Sequence, residues 1–105
     1  MLRGDVYRFT LPRRVGHEQH GDRYGVVVQA DELPPRSVVL VAPTSRSARA
    51  ASFRPEIDVA GEVTRVLVEQ VGAVDVQRLG GLAGHVSREE LWGIDDALLT
   101  VFGLR

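Results

Sequence analysis

The sequence contains no cysteine, which excludes a disulfide framework, a thiolate metal site and a cysteine nucleophile. It contains no lysine either, so all 13 basic residues are arginine. Codon usage in a GC-rich genome accounts for the missing lysines, yet the outcome matters chemically. A planar guanidinium fork suits two-point contact with phosphate better than an ammonium does. Long apolar runs are absent as well. The longest, Val38–Pro43, falls far short of the roughly 20 residues that a membrane-spanning helix needs. No leader-like segment is recognisable, and a soluble, cytoplasmic protein is the expectation. There is no Gly-x-Ser-x-Gly elbow, and Gly80, Gly81 and Gly84 are not followed by Lys-Ser/Thr. Serine-hydrolase and P-loop chemistry are therefore not indicated. A tight turn or close backbone approach explains these glycines, and His85 beside them reads as a strand residue.

What is present suits one compact domain spanning residues 1–105, with 44% apolar composition and a modest core. Net charge is only -1, but its distribution is uneven. Residues 1–54 carry nine Arg against five acidic residues, whereas residues 55–105 carry four against nine. A basic first half points to an anionic ligand on one side of the molecule.

Along the chain, Asp5–Leu11 alternates apolar and polar residues and is expected to be a strand stopped by Pro12. Arg13–Asp22 is a loop, long for so small a domain and hence a functional candidate. Tyr24–Gln29 reads as a second strand, buried on both faces around its three valines. A turn over Asp31–Arg36 leads to a third apolar strand, Ser37–Ala42, which Pro43 is expected to end. A small-residue basic loop covers Thr44–Ser52. Phe53–Val59 is expected at an edge, where Pro55 is tolerated. After an Ala60-Gly61 turn, Val63–Val71 is the clearest later strand. Ala73–Gly80 fits neither period cleanly and suggests a helical turn at Val76-Gln77-Arg78. Gly80–Val86 is a short strand. Ser87 and Glu90 form a capping box for a helix whose stripe is Leu91, Ile94, Leu98, Val101 and Phe102, with Asp95 and Asp96 towards solvent. Gly103 closes it. Five or six short strands followed by one helix predict a mainly β (α+β) fold, a small barrel with the helix packed on it.

The chemistry-bearing stretch is Gly16-His17-Glu18-Gln19-His20-Gly21-Asp22-Arg23, delivered onto an apolar strand, together with Pro43-Thr44-Ser45-Arg46. A metal site is not expected: the spacing is H-E-x-H, and two imidazoles on one helical face need i and i+4. Each remaining residue alone has an ordinary explanation. Arg23 could be a surface arginine, Thr44 and Ser45 turn residues, and Glu18 a partner of Arg13, Arg14 or Arg23. Gln29 and Gln70 could be hydrogen-bonding strand ends. Together they make an electropositive cleft with a hydroxyl and a guanidinium. That combination suits a phosphodiester whose negative charge grows during cleavage. RNA carries its own nucleophile in the 2′-OH, so such a site needs only a base, an acid and donors to the phosphorane oxygens. Arginine is not a base at its ordinary pKa. Arg23 is thus a stabiliser of the phosphorane, with Glu18 or a histidine as proton carrier.

These segments, taken together, resemble the MazF/PemK family of toxin endoribonucleases. Leu2-Arg3-Gly4-Asp5-Val6-Tyr7 is similar to the family's opening, and Gly16-x-Glu18-Gln19, Arg23 and Val26-Val27-Val28-Gln29 to its G-x-E-Q…R-P-V-L-V segment. Val39-Leu40-Val41-Ala42-Pro43-Thr44-Ser45 resembles the strand that ends in a catalytic hydroxyl. Val66–Val71, Asp75, Arg78-Leu79 and Ser87-x-Glu89-Glu90-Leu91 through Ala97-Leu98 match the later half. The resemblance implies an SH3-like, CcdB-like barrel that forms a homodimer. It implies metal-independent, cofactor-free cleavage of single-stranded RNA to 2′,3′-cyclic phosphate and 5′-hydroxyl ends. It places the catalytic arginine on Arg23 and the catalytic hydroxyl on Ser45 or its neighbour Thr44, with Glu18 in the catalytic set. RNA contacts are expected from His17, Gln19, His20, Tyr24, Gln29, Arg46 and Gln70. The partner it implies is a cognate antitoxin with an acidic tail.

Two departures stand out. The proline that usually follows the arginine is Tyr24, a change that either alters the pitch of Arg23 or adds a stacking surface for a base. The family's Q-I-R-T reads Gln70-Val71-Gly72-Ala73, which removes a basic residue. Both bear on which bases are cut. The alternative carried by the same barrel is a non-nucleolytic toxin of the gyrase-poison branch, acting by binding a protein.

Overall fold

The computed structural model describes residues 1–10, 22–34 and 36–105. Seven strands are present among them: β1 (Asp5–Thr10), β2 (Asp22–Val27), β3 (Val38–Ser45), β4 (Glu56–Val59), β5 (Glu62–Val66), β6 (Gly72–Asp75) and β7 (Leu79–His85). One helix, α1 (Arg88–Val101), follows them. The strands form a curled antiparallel sheet in the order β4-β5-β3-β2-β1-β7, with β6 paired to the first half of β3. This is the mainly β fold with a terminal helix that the alternation predicts; the sheet curls into a half-barrel and has seven strands among the described residues, where five or six are expected.

Because strand side chains alternate between faces, the two faces carry separate clusters. Val6, Val26, Val28, Ala42 and Val66 pack with Ile57, Ile94 and Ala97 under the helix. Val27, Val39 and Val41 form a smaller cluster on the opposite face with Tyr7, Val74 and Leu79. The three consecutive valines 26–28 are therefore buried on both sides, as expected. Gly25 precedes them where no side chain fits, since a Cβ there would stand 2.5 Å from Val41 Cγ1.

Several boundaries differ from the sequence reading. β2 starts two residues earlier and ends at Val27. Beyond it Val28 N–H still donates to Leu40 O (3.1 Å), after which the Gln29 side chain replaces the backbone, its Oε1 accepting from Leu40 N–H (3.2 Å). Pro43 does not end β3. At this point β3 leaves β2 (Gly25↔Pro43) and joins β5 (Thr44↔Val66), so the missing N–H falls at a change of partner. The Pro43 carbonyl accepts from Leu67 N–H (2.8 Å). That bond turns the chain after Val66, so the expected strand to Val71 gives way to a 3-10 turn at Val68–Gln70. β4 is shorter than Phe53–Val59, with Pro55 just ahead of it, and β6 forms by pairing with β3 where the local sequence shows no clear strand period. The helical turn at Val76–Arg78 is present. Phe102 caps the helix and is 59% exposed instead of joining the buried stripe. Asp95 is held by Arg3 Nη1 at 2.7 Å.

The helix start is as predicted. Ser87 Oγ accepts from Glu90 N–H, and Glu90 Oε1 accepts from Ser87 N–H (3.1 and 2.8 Å). Glu90 Oε2 also accepts from Asp58 N–H at 2.7 Å, which ties the cap to β4. Ser87→Ala is expected to cost about 1 kcal/mol, a fall in melting temperature of roughly 4–8 °C, read by thermal denaturation.

The opening motif is scaffold. Arg3 Nε donates to Val28 O (2.9 Å) while its Nη1 reaches Asp95. Asp5 Oδ2 accepts from Leu2 N–H and Oδ1 meets His85 Nδ1, both at 2.8 Å. Burial pushes the Asp5 carboxyl's pKa up, but the Leu2 N–H and His85 together outweigh it and hold the group below its ordinary value. A depressed folded-state pKa stabilises above the unfolded-state value, about 3.9, and the benefit is lost as pH falls through the folded one. The melting-temperature gap between wild type and Asp5→Asn is therefore expected to be full at neutral pH and to close below about pH 4.

Candidate functional site

The site is built where β3 changes partners. Thr44 is opposite Val66, and Ser45 is opposite Arg65. Val66 belongs to the cluster under the helix, so Thr44 faces the helix side and Ser45 the other side. Both are buried, at 2% and 4% exposure, but their hydroxyls do different work. Thr44 Oγ1 accepts from Tyr24 N–H and donates to Tyr24 O, each at 3.2 Å. It thereby satisfies the backbone of β2 where the ladder to β3 has lapsed. Ser45 Oγ lies 3.4 Å from Ser47 Oγ, a long and weak contact.

Arg23 is in β2, opposite Phe9 of β1. Its Nη1 donates to Thr44 O at 3.2 Å, so the guanidinium lies against the peptide that joins the two hydroxyl residues. A cation and a buried hydroxyl on one sheet face form a donor set for an anion, and a tetrahedral oxyanion is the species such sets stabilise best.

Other predicted residues fall around or away from this point. Arg46 follows Ser45, is exposed, and pairs with Glu62. Tyr24 is half-buried beside the helix-side cluster, with the Arg8 guanidinium 5.9 Å from its ring centre. Gln29 lies six residues along from Arg23, roughly 20 Å at strand rise. Its amide is engaged by Leu33 O and Leu40 N–H. Gln70 is exposed at the end of the 3-10 turn. His17, Glu18, Gln19 and His20 lie outside the described residues.

One neighbour was not read from the sequence. Arg65 is the direct cross-strand partner of both Ser45 and Glu56. Only its place in the V-T-R-V alternation hinted at this, and the sequence does not say which strand pairs with which.

A family model for the PemK-like, MazF-like toxin of type II toxin–antitoxin systems matches residues 2–102. The chain belongs to this toxin family. A Mycobacterium tuberculosis protein named "Putative toxin Rv3098A/RVBD_3098A" is 39% identical over 106 residues, covering 99% of each chain. Among solved structures, an endoribonuclease in complex with its cognate antitoxin from a mycobacterial species superposes with a TM-score of 0.80 at 20% identity. It covers 100% of this chain and 97% of its own. MazF from Deinococcus radiodurans gives 0.79 at 18% identity, covering 98% and 96%. The PemK/MazF-like fold is thus matched along essentially the whole chain. Among the described residues no helix is long and apolar enough to cross a membrane.

Proposed function

We propose that this PemK/MazF-like toxin is a metal-independent endoribonuclease of single-stranded RNA. The observation that carries the reading is the Arg23 guanidinium against the Thr44–Ser45 peptide, on the sheet face that Ser45 shares. The mycobacterial endoribonuclease solved with its antitoxin has the same fold.

In the reaction, the ribose 2′-oxygen attacks the adjacent phosphorus and its proton passes to a base. The bond from phosphorus to the 5′-oxygen breaks, and that oxygen takes a proton from an acid. A 2′,3′-cyclic phosphate and a 5′-hydroxyl result. Arg23 and the Ser45 hydroxyl donate to the phosphorane oxygens, whose charge peaks in the transition state. Thr44 supports the site through the Tyr24 backbone. Glu18, with His17 and His20, supplies the proton carriers from the stretch of sequence just ahead of Arg23. Gln19 and Arg46 contact the RNA around the scissile bond.

The toxin acts as a homodimer held in check by an antitoxin. A groove of about 570 Å³ lined by Leu40, Val71, Leu98, Leu99, Phe102 and Leu104 supports self-association, because contiguous exposed apolar surface marks an interface. An acidic antitoxin tail over the Arg23 face would neutralise the charge that RNA needs.

Induced expression tests the reading in cells. Growth arrest accompanied by RNA fragments with 5′-hydroxyl ends, and relieved by the cognate antitoxin, is the expected result. Arrest with intact RNA and a co-purifying topoisomerase would favour the protein-binding alternative.

A further inference from the structure

The polar residues beside Ser45 continue across the sheet. Ser45 of β3 is opposite Arg65 of β5, which is opposite Glu56 of β4. Directly opposed residues share a face, so Ser45, Arg65 and Glu56 form one row, with the Arg23 guanidinium at its β2 end. Val66 and Thr64, on either side of Arg65, are buried at 0% and 3% exposure. Arg65 thus stands on the site face and not in the core beneath the helix.

Its present contacts leave donors over. Nη1 donates to Arg54 O at 3.1 Å, and Nη2 reaches Glu56 Oε2 at 3.4 Å, a long contact. The Arg65 side chain is 25% exposed and that of Glu56 58%, and a pair this long with an exposed carboxylate contributes little stability. A guanidinium has five N–H donors, and these contacts use two of them. The Arg65 Cα is one strand spacing from that of Ser45, about 4.8 Å.

We propose that Arg65 is a substrate-binding residue: it takes the backbone phosphate of the RNA strand next to the one held at Arg23 and Ser45. Glu56 tethers the guanidinium in the free toxin and gives way to that phosphate. The inference rests on the endoribonuclease reading above. It adds a second anion contact on the β5 side of the scissile phosphate, so the strand crosses the face from β2 towards β4. Holding an adjacent phosphate does not follow the charge that develops on the reacting one. Its loss therefore weakens binding to ground state and transition state alike.

The test is steady-state cleavage of single-stranded RNA at several salt concentrations by wild type, Arg65→Ala, Arg65→Lys and Glu56→Gln, with thermal melting of each. Arg65→Ala is expected to raise KM about 10-fold with kcat within about twofold. The slope of log KM against log salt should fall by about 0.7, the single-strand value for one phosphate. Arg65→Lys should restore the slope but only part of KM, because lysine keeps the charge and loses the fork. Glu56→Gln should lower KM by releasing the guanidinium. A role only in joining β4 to β5 would lower the melting temperature of both Arg65→Ala and Glu56→Gln while leaving KM and the salt slope at wild-type values. That result overturns the proposal and leaves the endoribonuclease reading standing. Wild-type toxin that cuts no RNA overturns both.

Discussion

Replacing Arg23 by alanine is expected to lower RNA cleavage by roughly 10²–10³-fold, the usual cost of removing one preorganised donor from a developing oxyanion. The fold should survive. Arg23 is half-buried near the start of β2, and the backbone pairing of β1, β2 and β3 does not depend on its head group. Its bond to Thr44 O contributes about 1 kcal/mol, and thermal melting of the variant checks the fold directly. The loss should fall on kcat with KM nearly unchanged, because the phosphorane carries more charge than the ground-state diester. Arg23→Lys should recover only part of the rate, since an ammonium cannot span two phosphorane oxygens. A variant that melts with wild type and cuts as well as wild type would remove Arg23 from the chemistry.

The second large effect separates two adjacent hydroxyls. Thr44→Val keeps the shape but strips the group that serves both Tyr24 N–H and Tyr24 O. Two buried backbone groups then lose their partner, at about 1–3 kcal/mol for each left unsatisfied, so a large drop in melting temperature is expected. Ser45→Ala removes the hydroxyl proposed to donate to the phosphorane but leaves both Tyr24 backbone bonds in place. Its melting temperature should fall less than that of Thr44→Val, while kcat falls by roughly 10². The two variants should therefore trade places: one is the less stable with a modest loss of rate, the other the slower. If Thr44→Val lost the rate and Ser45→Ala the stability, the roles assigned to the two hydroxyls would be reversed.

Local patterns in the sequence carried much of the fold. The alternation in Asp5–Leu11, the valines of Tyr24–Gln29 and the Ser87/Glu90 box each report a property of a few neighbouring residues, and each is found in place. Reading failed where a non-local bond decides. Pro43 looks like a strand end until Leu67 claims its carbonyl and β5 replaces β2 as partner. Val63–Val71 looks continuous until that same bond turns the chain. The site was legible in part for the same reason. Arg23 and the Thr44-Ser45 pair stand out by type and by resemblance. Which hydroxyl faces which side depends on register, and only the pairing with Val66 and Arg65 decides it. Arg65 and Glu56 are ordinary strand charges in the sequence and become neighbours of Ser45 only through the topology. Gln29 shows the converse. The sequence offers a polar residue ending an apolar strand as a satisfied strand end or as a substrate contact, and only the fold shows that its amide completes the β2–β3 connection.

The most direct test of the central claim uses purified, antitoxin-free toxin and a long single-stranded RNA in excess EDTA, with every new 5′ end mapped and its chemistry identified. Discrete cuts at a short recurrent sequence, bearing 5′-hydroxyl ends and absent with Arg23→Ala, are the predicted result. Intact RNA from folded toxin, or cleavage that returns only when a divalent cation is restored, would contradict it.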